Sequence, residues 1–502
     1  VSASDHWMFI SSTGGLTAGR ANAESALFPY YTEDKVTENH SNTGPLSILR
    51  ITRDGKTARW EPFSDAIASN TRVRRNLYKS VIGSSLIFEE VNLDLSLTFC
   101  YAWQSSEKHG FVRTCWLTNH AESCEVSLLD GLQNLVPYGV SSHTQNVFGN
   151  LLNAYKRNEL EPRAGLGLFS LSSQLTDLAE PSESLMTTTV WQMGLQADGH
   201  LLSVKQVEGF RKKGKVTPET DICGQRGAYL VNSSFVLESG AVKEWRIVAE
   251  VNQDCSAVAS LVRTLTESPE EVLADLQSDI KKGSSDLTAI IGSSDGLQGS
   301  GDRLGSAHHS ANVLFNVMRG GIFAEGYLVS MDDLTDFIQT RNRKVWSAFK
   351  EFIAGLPEKT PYHDLLERAA SVSHPQQGGP AGAAHSDLLR LCYEYLPLTF
   401  SRRHGDPSRP WNQFSINIKK EDGSKRLDYQ GNWRDIFQNW EPLAWSYPHF
   451  VEGMLAKFVN ATTLDGYNPY RVTRDGIDWE VPEPGNPWAN IGYWSDHQII
   501  YL

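Results

Sequence analysis

The segment YQGNWRDIFQNWEPLAWSYPHFVEG, residues 429–453, places few carboxylates beside many aromatic rings. Within it, Asp435 closely follows Trp433, stands beside Arg434 and lies near the start of a predicted helix. A carboxyl group in such a setting is a candidate general acid. The alternative is a structural role, because Asp is also a common capping residue at helix starts. Asp435 is therefore the first candidate for chemistry in this chain.

The chemistry that suits one acid among many rings is glycosyl transfer. Breaking an acetal needs one protonated carboxyl for the leaving oxygen. Inversion also needs either a second carboxylate to activate water or a nucleophile such as phosphate that requires no base. Glu441 and Glu480 are the further catalytic candidates, and the acids that compete with them are Asp478, Glu483 and Asp496.

Tryptophans are concentrated near the end of the chain, where seven of 14 lie in the last 92 residues. An indole face can stack on the C–H face of a pyranose, whose hydroxyls then need polar partners. The alternative is that these rings fill the core of a large helical domain. As a group they predict a sugar site, whose predicted substrate-binding residues are Asn432, Trp433, Arg434, Trp440, Trp479, Trp488, Trp494, Asp496 and His497.

Two halves with different hydrophobic periods must position these residues. From about residue 45 to 253, short alternating or β-branched segments between turn residues predict antiparallel strands. At TESPEEVLADLQSDIKK the period becomes helical, with Ser268 as a cap and Pro269 as the first helical residue. The Gly/Ser-rich stretch that follows predicts a flexible connection, and later segments are helical. We predict a multidomain β + α chain with an antiparallel sandwich at 1–262, a helical linker and Gly/Ser-rich connection at 263–305, and a helical domain at 306–502.

One loop in the helical half carries a second group of acids. Gly320 and Gly321 are followed by Asp332 and Asp333 in VMRGGIFAEGYLVSMDDLTDF. Paired glycines predict a tight loop between two helices. A contribution of the two acids to the site is the alternative.

Composition excludes several classes of partner. The chain has 59 Asp and Glu against 46 Lys and Arg, a net charge of −13, which repels nucleic acid and anionic membranes. No apolar run approaches a membrane span, and the six cysteines are too scattered for a disulfide scaffold or a zinc site. We predict no metal, no cofactor and a cytoplasmic location.

The order of the predicted domains and the sequence GNWRD resemble the cellobiose and chitobiose phosphorylases of glycoside hydrolase family 94. In that family a G-D-W-N-D motif ends on the general acid, and Gly431, Trp433 and Asp435 match it here. Asn432 and Arg434 replace the Asp and Asn of the motif. The resemblance implies an N-terminal β-supersandwich and an (α/α)₆ barrel, about half of which fits into residues 306–502.

The combined prediction is an inverting glycoside hydrolase or phosphorylase that acts on β-linked oligosaccharides, with inorganic phosphate as co-substrate in the second case. The alternative is a non-catalytic carbohydrate-binding or scaffolding protein. Ile499, Ile500 and Leu502 resemble the start of another helix, so we expect the chain to stop inside its helical domain. A second copy or a companion chain would then cover the apolar edge.

Overall fold

The computed structural model describes residues 1–65, 71–176, 179, 182–373, 383–403, 405–409, 414–479 and 493–494, with the backbone alone for 373, 383–385 and 493–494. The chain divides into two compact units. The first is Val1–Leu287 with Gly405–Gln413, and the second is Thr288–His404 with Phe414–Leu502.

The first unit is dominated by β-strands. They are β1 (His6–Ile10), β2 (Leu16–Arg20), β3 (Ser25–Phe28), β4 (Gly44–Arg53), β5 (Lys56–Trp60), β6 (Val73–Lys79), β7 (Leu86–Asn92), β8 (Leu97–Ser106), β9 (Gly110–Asn119), β10 (Cys124–Leu135), β11 (Lys156–Glu161), β12 (Leu166–Leu171), β13 (Met186–Met193), β14 (Gly199–Leu201), β15 (Asp221–Cys223), β16 (Gly227–Leu237) and β17 (Val242–Asp254).

These strands form three sheets in which every described pairing is antiparallel. The sheet orders are β1-β2-β3, β14-β16-β10-β4-β5 and β15-β11-β12-β13-β17-β9-β8-β7-β6. In the middle sheet β10 pairs along its length with both β4 and β16, so that Leu128 lies opposite Leu49 and Ser233. The prediction of antiparallel strands in the N-terminal half is confirmed.

The core of the first unit lies between the two larger sheets. Both contribute to one buried cluster, the five-stranded sheet through residues such as Leu49 and Leu128 and the nine-stranded sheet through Phe99, Leu117 and Trp245. Successive side chains of a strand point to opposite faces of its sheet, so one set of alternate side chains from each larger sheet can face this shared core.

The helices are, in the first unit, α1 (Glu33–Glu38), α2 (Ser142–Val147), α3 (Gly149–Asn153), α4 (Val207–Lys213) and α5 (Cys255–Glu267); then α6 (Pro269–Gly292), which crosses into the second unit; and, in the second unit, α7 (Arg303–Gly320), α8 (Met331–Arg341), α9 (Arg343–Ala354), α10 (Tyr362–Ser373), α11 (Ala383–Glu394), α12 (Trp433–Asn439), α13 (Glu441–Ser446) and α14 (Val451–Ala461). Within the described ranges, no helix is both long and apolar enough to cross a membrane.

Helix α6 begins at Pro269, as the sequence predicts, but extends much further than predicted. It continues through Gly283 to Gly292, so only residues 293–302 of the Gly/Ser-rich stretch lie outside helices. Leu287 and Ile291 on its last turns are fully buried. Burial of these side chains outweighs the cost of a glycine in a helix, about 1 kcal/mol. The predicted boundary at residue 262 falls inside α5.

The second unit adds short strands to its helices. They are β18 (Ile322–Phe323), β19 (Leu328–Ser330), β20 (Lys359–Pro361), β21 (Leu398–Thr399), β22 (Gln430–Asn432), β23 (Tyr467–Asn468), β24 (Arg471–Thr473), β25 (Ile477–Asp478) and β26 (Tyr493–Trp494). Helices α8 to α14 share one buried cluster, to which Phe337, Leu391, Trp433 and Phe450 belong. The helical character predicted for this half is confirmed.

Candidate active site

A small sheet, β22-β24-β25, brings distant parts of the sequence together beside Asp435. Asn432 lies opposite Arg471, and Arg471 lies opposite Asp478. Directly opposed residues of antiparallel strands project from the same face, so these three form one row, here named the polar strip. Two strand spacings place the backbones of Asn432 and Asp478 only about 10 Å apart.

Ion pairing fixes the polar strip. Arg471 Nε donates to Asp478 Oδ2 at 2.8 Å, and a second nitrogen of the same guanidinium also contacts that carboxylate. Arg471 also donates to Gln430 Oε1 at 3.3 Å. Arg403 lies nearby, and burial together with the positive charge of Arg471 lowers its pKa. The strip therefore offers both donors and acceptors to a polar ligand.

Helix α12 begins directly after the polar strip and carries Asp435 in its first turn. Trp433 N donates to Tyr470 O at 2.9 Å, which ties the helix start to the segment before β24. Asp435 is half-buried. Among the residues that the structure describes, its carboxylate makes no hydrogen bond or ion pair, and Asn432 caps the helix without a side-chain bond. The capping role considered for Asp435 is therefore not found here.

Trp433 and Trp440 need a correction, because both are core residues in the structure. Trp433 is fully buried and stacks on Phe458 with ring centres 4.6 Å apart. Trp440 is 1% exposed and donates from Nε1 to Gly320 O at 3.0 Å. Neither ring has an open face for a sugar, because both belong to the buried cluster shared by helices α8 to α14.

The other predicted site residues are placed differently. Trp479 is 43% exposed and directly follows β25, next to the polar strip. Arg434 is exposed on α12, and Glu441 is exposed at the start of α13. Trp494 lies on β26 opposite Tyr467, and only its backbone is described. The predicted residues that lie outside the described part of the chain are Glu480, Trp488, Asp496 and His497.

A second feature of this unit, here named the acidic cleft, has a volume of about 880 Å³. The charged residues that line it are Glu325, Asp332, Asp333, Asp336, Asp428, Asp475, Lys420, Lys425, Arg426 and Arg474. Of these residues the sequence pointed only to Asp332 and Asp333, whose contribution to a site was the alternative to a tight loop between two helices. The signal that could have found it was the Asp pair at 332 and 333, which lies in the first turn of α8.

Arg474 organises the acidic cleft. Its guanidinium donates to Asp333 Oδ1 at 2.9 Å, Asp475 Oδ1 at 3.0 Å and Asp336 Oδ2 at 3.2 Å. Burial lowers the pKa of Arg474, but these carboxylates outweigh that effect and the pKa is raised overall. Tyr395 also donates to Asp333, at 2.7 Å. One guanidinium thus pairs with three carboxylates of the cleft.

Asp428 differs from the other acids of the cleft. Burial raises its pKa, and the partial compensation from Arg426, whose Nε lies 3.9 Å from Asp428 Oδ2, does not cancel this effect. A carboxyl group with a raised pKa keeps its proton to a higher pH than an exposed aspartate does. Within the described ranges, no cluster of three or more His, Cys, Asp or Glu could hold a metal ion.

One protein family matches part of the chain. Residues 323–397, from β18 to the start of β21, match the model of glycoside hydrolase family 149 insertion domain 1. This segment supplies the Glu325 to Asp336 side of the acidic cleft. It covers a minor part of the chain, and the matched family differs from family 94, to which GNWRD bears a resemblance. No curated protein matches the chain.

Solved structures show only distant likeness. A bacterial glucoamylase complexed with acarbose has 10% identity and a TM-score of 0.37, with 92% of this chain and 66% of that chain covered. A putative kojibiose phosphorylase from human microbiome has 8% identity and a TM-score of 0.25, with 78% and 42% covered. A family GH92 alpha-mannosidase from Bacteroides thetaiotaomicron has 10% identity and a TM-score of 0.25, with 81% and 56% covered. The chain thus spans less than two thirds of each, and TM-scores this low carry no argument about function.

Proposed function

We propose that this chain belongs to a carbohydrate-active enzyme, an inverting glycoside hydrolase or phosphorylase that acts on β-linked oligosaccharides. The observation that carries the proposal is the half-buried carboxylate of Asp435, which α12 carries beside the polar strip and which has no hydrogen-bond or ion-pair partner among the described residues. The match to a glycoside hydrolase insertion domain supports the same substrate class.

In this proposal Asp435 protonates the leaving glycosidic oxygen. A general acid must carry a proton before the reaction and lie within hydrogen-bond reach of the leaving oxygen. The polar strip binds sugar hydroxyls, because Arg471 donates hydrogen bonds and Asp478 accepts them. Trp479 supplies an exposed ring on which a pyranose can stack. Hydrolysis would use Glu441 or Glu480 to activate water, and phosphorolysis would use phosphate as the nucleophile.

The decisive variant is Asp435→Asn in the whole protein. The amide cannot donate the proton, so kcat should fall by a factor of about 10²–10⁴, with the largest loss on substrates with poor leaving groups. Asp465→Asn is the matched control, since Asp465 is an exposed carboxylate in the loop after α14. Wild-type turnover by Asp435→Asn on the best substrate would overturn the proposal.

Hydrolysis and phosphorolysis are separated by one assay. Disaccharides are incubated with the whole protein with and without phosphate, and released glucose and sugar 1-phosphate are followed separately. Product that forms only with phosphate identifies a phosphorylase. Product that forms equally without it identifies a hydrolase, which then requires a second carboxylate about 6.5–9.5 Å from that of Asp435.

A non-catalytic carbohydrate-binding protein is the second candidate. The observation that favours it is the pairing of the nearby acids, since Asp478 is bound to Arg471 and Asp333 to Arg474. Paired charges can bind hydroxyls without any proton transfer. Calorimetric binding of oligosaccharides without release of any sugar product would support this candidate.

Two further proposals can be tested separately. Light scattering and mass spectrometry would test for the companion chain or second copy proposed for the helical domain. Cell fractionation would test the proposed cytoplasmic location.

A further inference from the structure

A buried lysine lies beneath the sheet that carries the polar strip. Lys457, on α14, is 3% exposed. Its Nζ donates to Arg474 O at 3.3 Å and lies 4.9 Å from the centre of the Tyr429 ring and 6.0 Å from that of Phe337. Among the described residues it forms no ion pair with a carboxylate. A buried ammonium without a counter-charge is costly, so this setting favours the neutral amine.

The charged groups that face Lys457 come from several elements. They are Arg341 at the end of α8, Glu394 at the end of α11, and Arg474 and Asp475 after β24. Glu394 is already engaged, because it accepts hydrogen bonds from Arg390 at 2.9 Å, Asn460 at 2.5 Å and Arg341 at 3.5 Å. Tyr429 faces it with its ring. Burial lowers the pKa of Lys457 to about 7, and the nearby arginines act in the same direction.

Lys457 contacts the point where two strands of the sheet are joined. Arg474 directly follows β24, and its backbone N donates to Tyr429 O at 3.0 Å. Tyr429 directly precedes β22, which leads through Asn432 into α12. The amine of Lys457 therefore stabilises a backbone connection on which both the polar strip and the Arg474 side of the acidic cleft depend.

We propose that the closed second unit holds Lys457 as a neutral amine, and that local opening of residues 470–478 is coupled to the uptake of one proton by this amine. This pH-dependent coupling is here named the Lys457 latch. This latch is independent of whether the polar strip binds a sugar. It concerns the folded protein alone, so it can fail or succeed separately from the proposed function.

The direction of the pH effect follows from linkage. Lysine has a pKa of 10.5 when exposed, as in the open segment, and about 7 in the closed unit. Between these values the open state binds one more proton than the closed state, so closure is most stable at high pH and weakens as the pH falls. Below about pH 7 the lysine is protonated in both states, and the effect levels off. The equilibrium constant for opening should thus rise about tenfold for each pH unit lost within this window.

Hydrogen–deuterium exchange measures this opening in the intact chain. Peptides that cover residues 470–478 are followed at about pH 7, 8 and 9, with correction for the intrinsic exchange rate. The wild-type protein should show the tenfold slope in these peptides and none in β10 of the sandwich. Lys457→Met should abolish the slope, because methionine takes up no proton. Lys350→Met, which removes an exposed lysine from α9, should leave it unchanged.

Two results would overturn the latch. One is a wild-type protein whose corrected protection at 470–478 does not change with pH. The other is a slope that persists in Lys457→Met. If that variant does not fold, Lys457→Gln replaces it, because the neutral amide retains a donor for Arg474 O and is expected to show the same flat profile.

Discussion

Each unit of this protein contains a buried arginine, and the two arginines are held in opposite ways. In the sandwich, Arg113 pairs with Asp130 at 2.9 Å, and both side chains are fully buried. Asp130 also accepts hydrogen bonds from Ser47 at 2.5 Å and Trp245 at 2.7 Å. This carboxylate has partners on both oxygens and no access to solvent, so it joins β9 to β10 and leaves nothing for a ligand.

In the helical unit, Arg474 is shared among three acids that remain partly in solvent. Its side chain is 10% exposed, while those of Asp333, Asp475 and Asp336 are 22%, 56% and 67% exposed. These acids keep hydration and some freedom to exchange partners. The difference indicates that the Arg113–Asp130 pair serves the structure of the sandwich, whereas the Arg474 cluster keeps its acids where a polar ligand can reach them.

The largest expected effect on stability is that of Asp130→Asn. The substitution leaves the guanidinium of Arg113 buried without a counter-charge, which should cost about 3–5 kcal/mol of the free energy of unfolding. Urea denaturation of the whole chain, followed by tryptophan fluorescence, measures this loss. The double variant Arg113→Met, Asp130→Leu should recover most of it. A single variant as stable as the wild type would show that the sandwich pair is not structural.

Two glycines sharpen the comparison. A Cβ on Gly431 would lie 2.5 Å from Cδ1 and 2.9 Å from Cβ of Ile436, so Gly431 lets α12 pack directly on β22. A Cβ on Gly131 in the sandwich would lie 1.9 Å from the backbone O of Tyr229. Gly431→Ala should destabilise by about 1–3 kcal/mol, and Gly131→Ala by more, because a backbone atom yields less than a side chain.

Activity separates the two glycine variants. Gly431→Ala should displace α12 and with it Asp435, so kcat should fall more than the loss of stability explains. Gly131→Ala should change only stability, with kcat per folded molecule unchanged. Circular dichroism gives the folded fraction of each variant. Equal kcat in both variants would contradict the link between Gly431 and the site.

Local patterns made the elements predictable, and long-range contacts made the site hard to predict. Alternation along the strands and the start of α6 at Pro269 are local signals, and both are confirmed. The sequence did not predict the full length of α6, because its Gly/Ser composition suggests a linker. Burial of Leu287 and Ile291, which favours the helix, depends on contacts with residues outside this segment. The same limit applies to Trp433 and Trp440, whose burial no local pattern distinguishes from a sugar contact.

The acidic cleft shows this limit most clearly. Asp333 and Arg474 are 141 positions apart in the sequence, yet they form an ion pair. No spacing rule relates residues so distant. Asp435 could be selected as a candidate because GNWRD is a contiguous motif, whereas Arg471 was not selected because it joins the polar strip only through strand pairing.

The next effect in size is that of Arg474→Met. Three partly solvated acids lose a shared cation, and because they can be rehydrated the cost should be about 1–2 kcal/mol, less than for Asp130→Asn. Urea denaturation in low and high salt measures it, and salt should reduce the difference between variant and wild type. A loss as large as that of Asp130→Asn would show that the two clusters are energetically alike.

The smallest effect on stability is expected for Asp478→Asn, in the polar strip. Asp478 is 44% exposed and its partner Arg471 is 22% exposed, so their pair resembles a surface salt bridge worth at most about 1 kcal/mol. If the strip binds a sugar, the same substitution should weaken binding much more than folding, because the amide retains one acceptor but no longer orients Arg471. Isothermal titration with the best oligosaccharide, beside a urea denaturation curve, compares the two effects directly.

The control is Glu89→Gln in the sandwich. Glu89, on β7, accepts a hydrogen bond at 2.7 Å from Asn76 on β6 and has no role in the proposed site. A variant that lost stability but kept full affinity would assign the polar strip to structure and would remove the contrast between the two units.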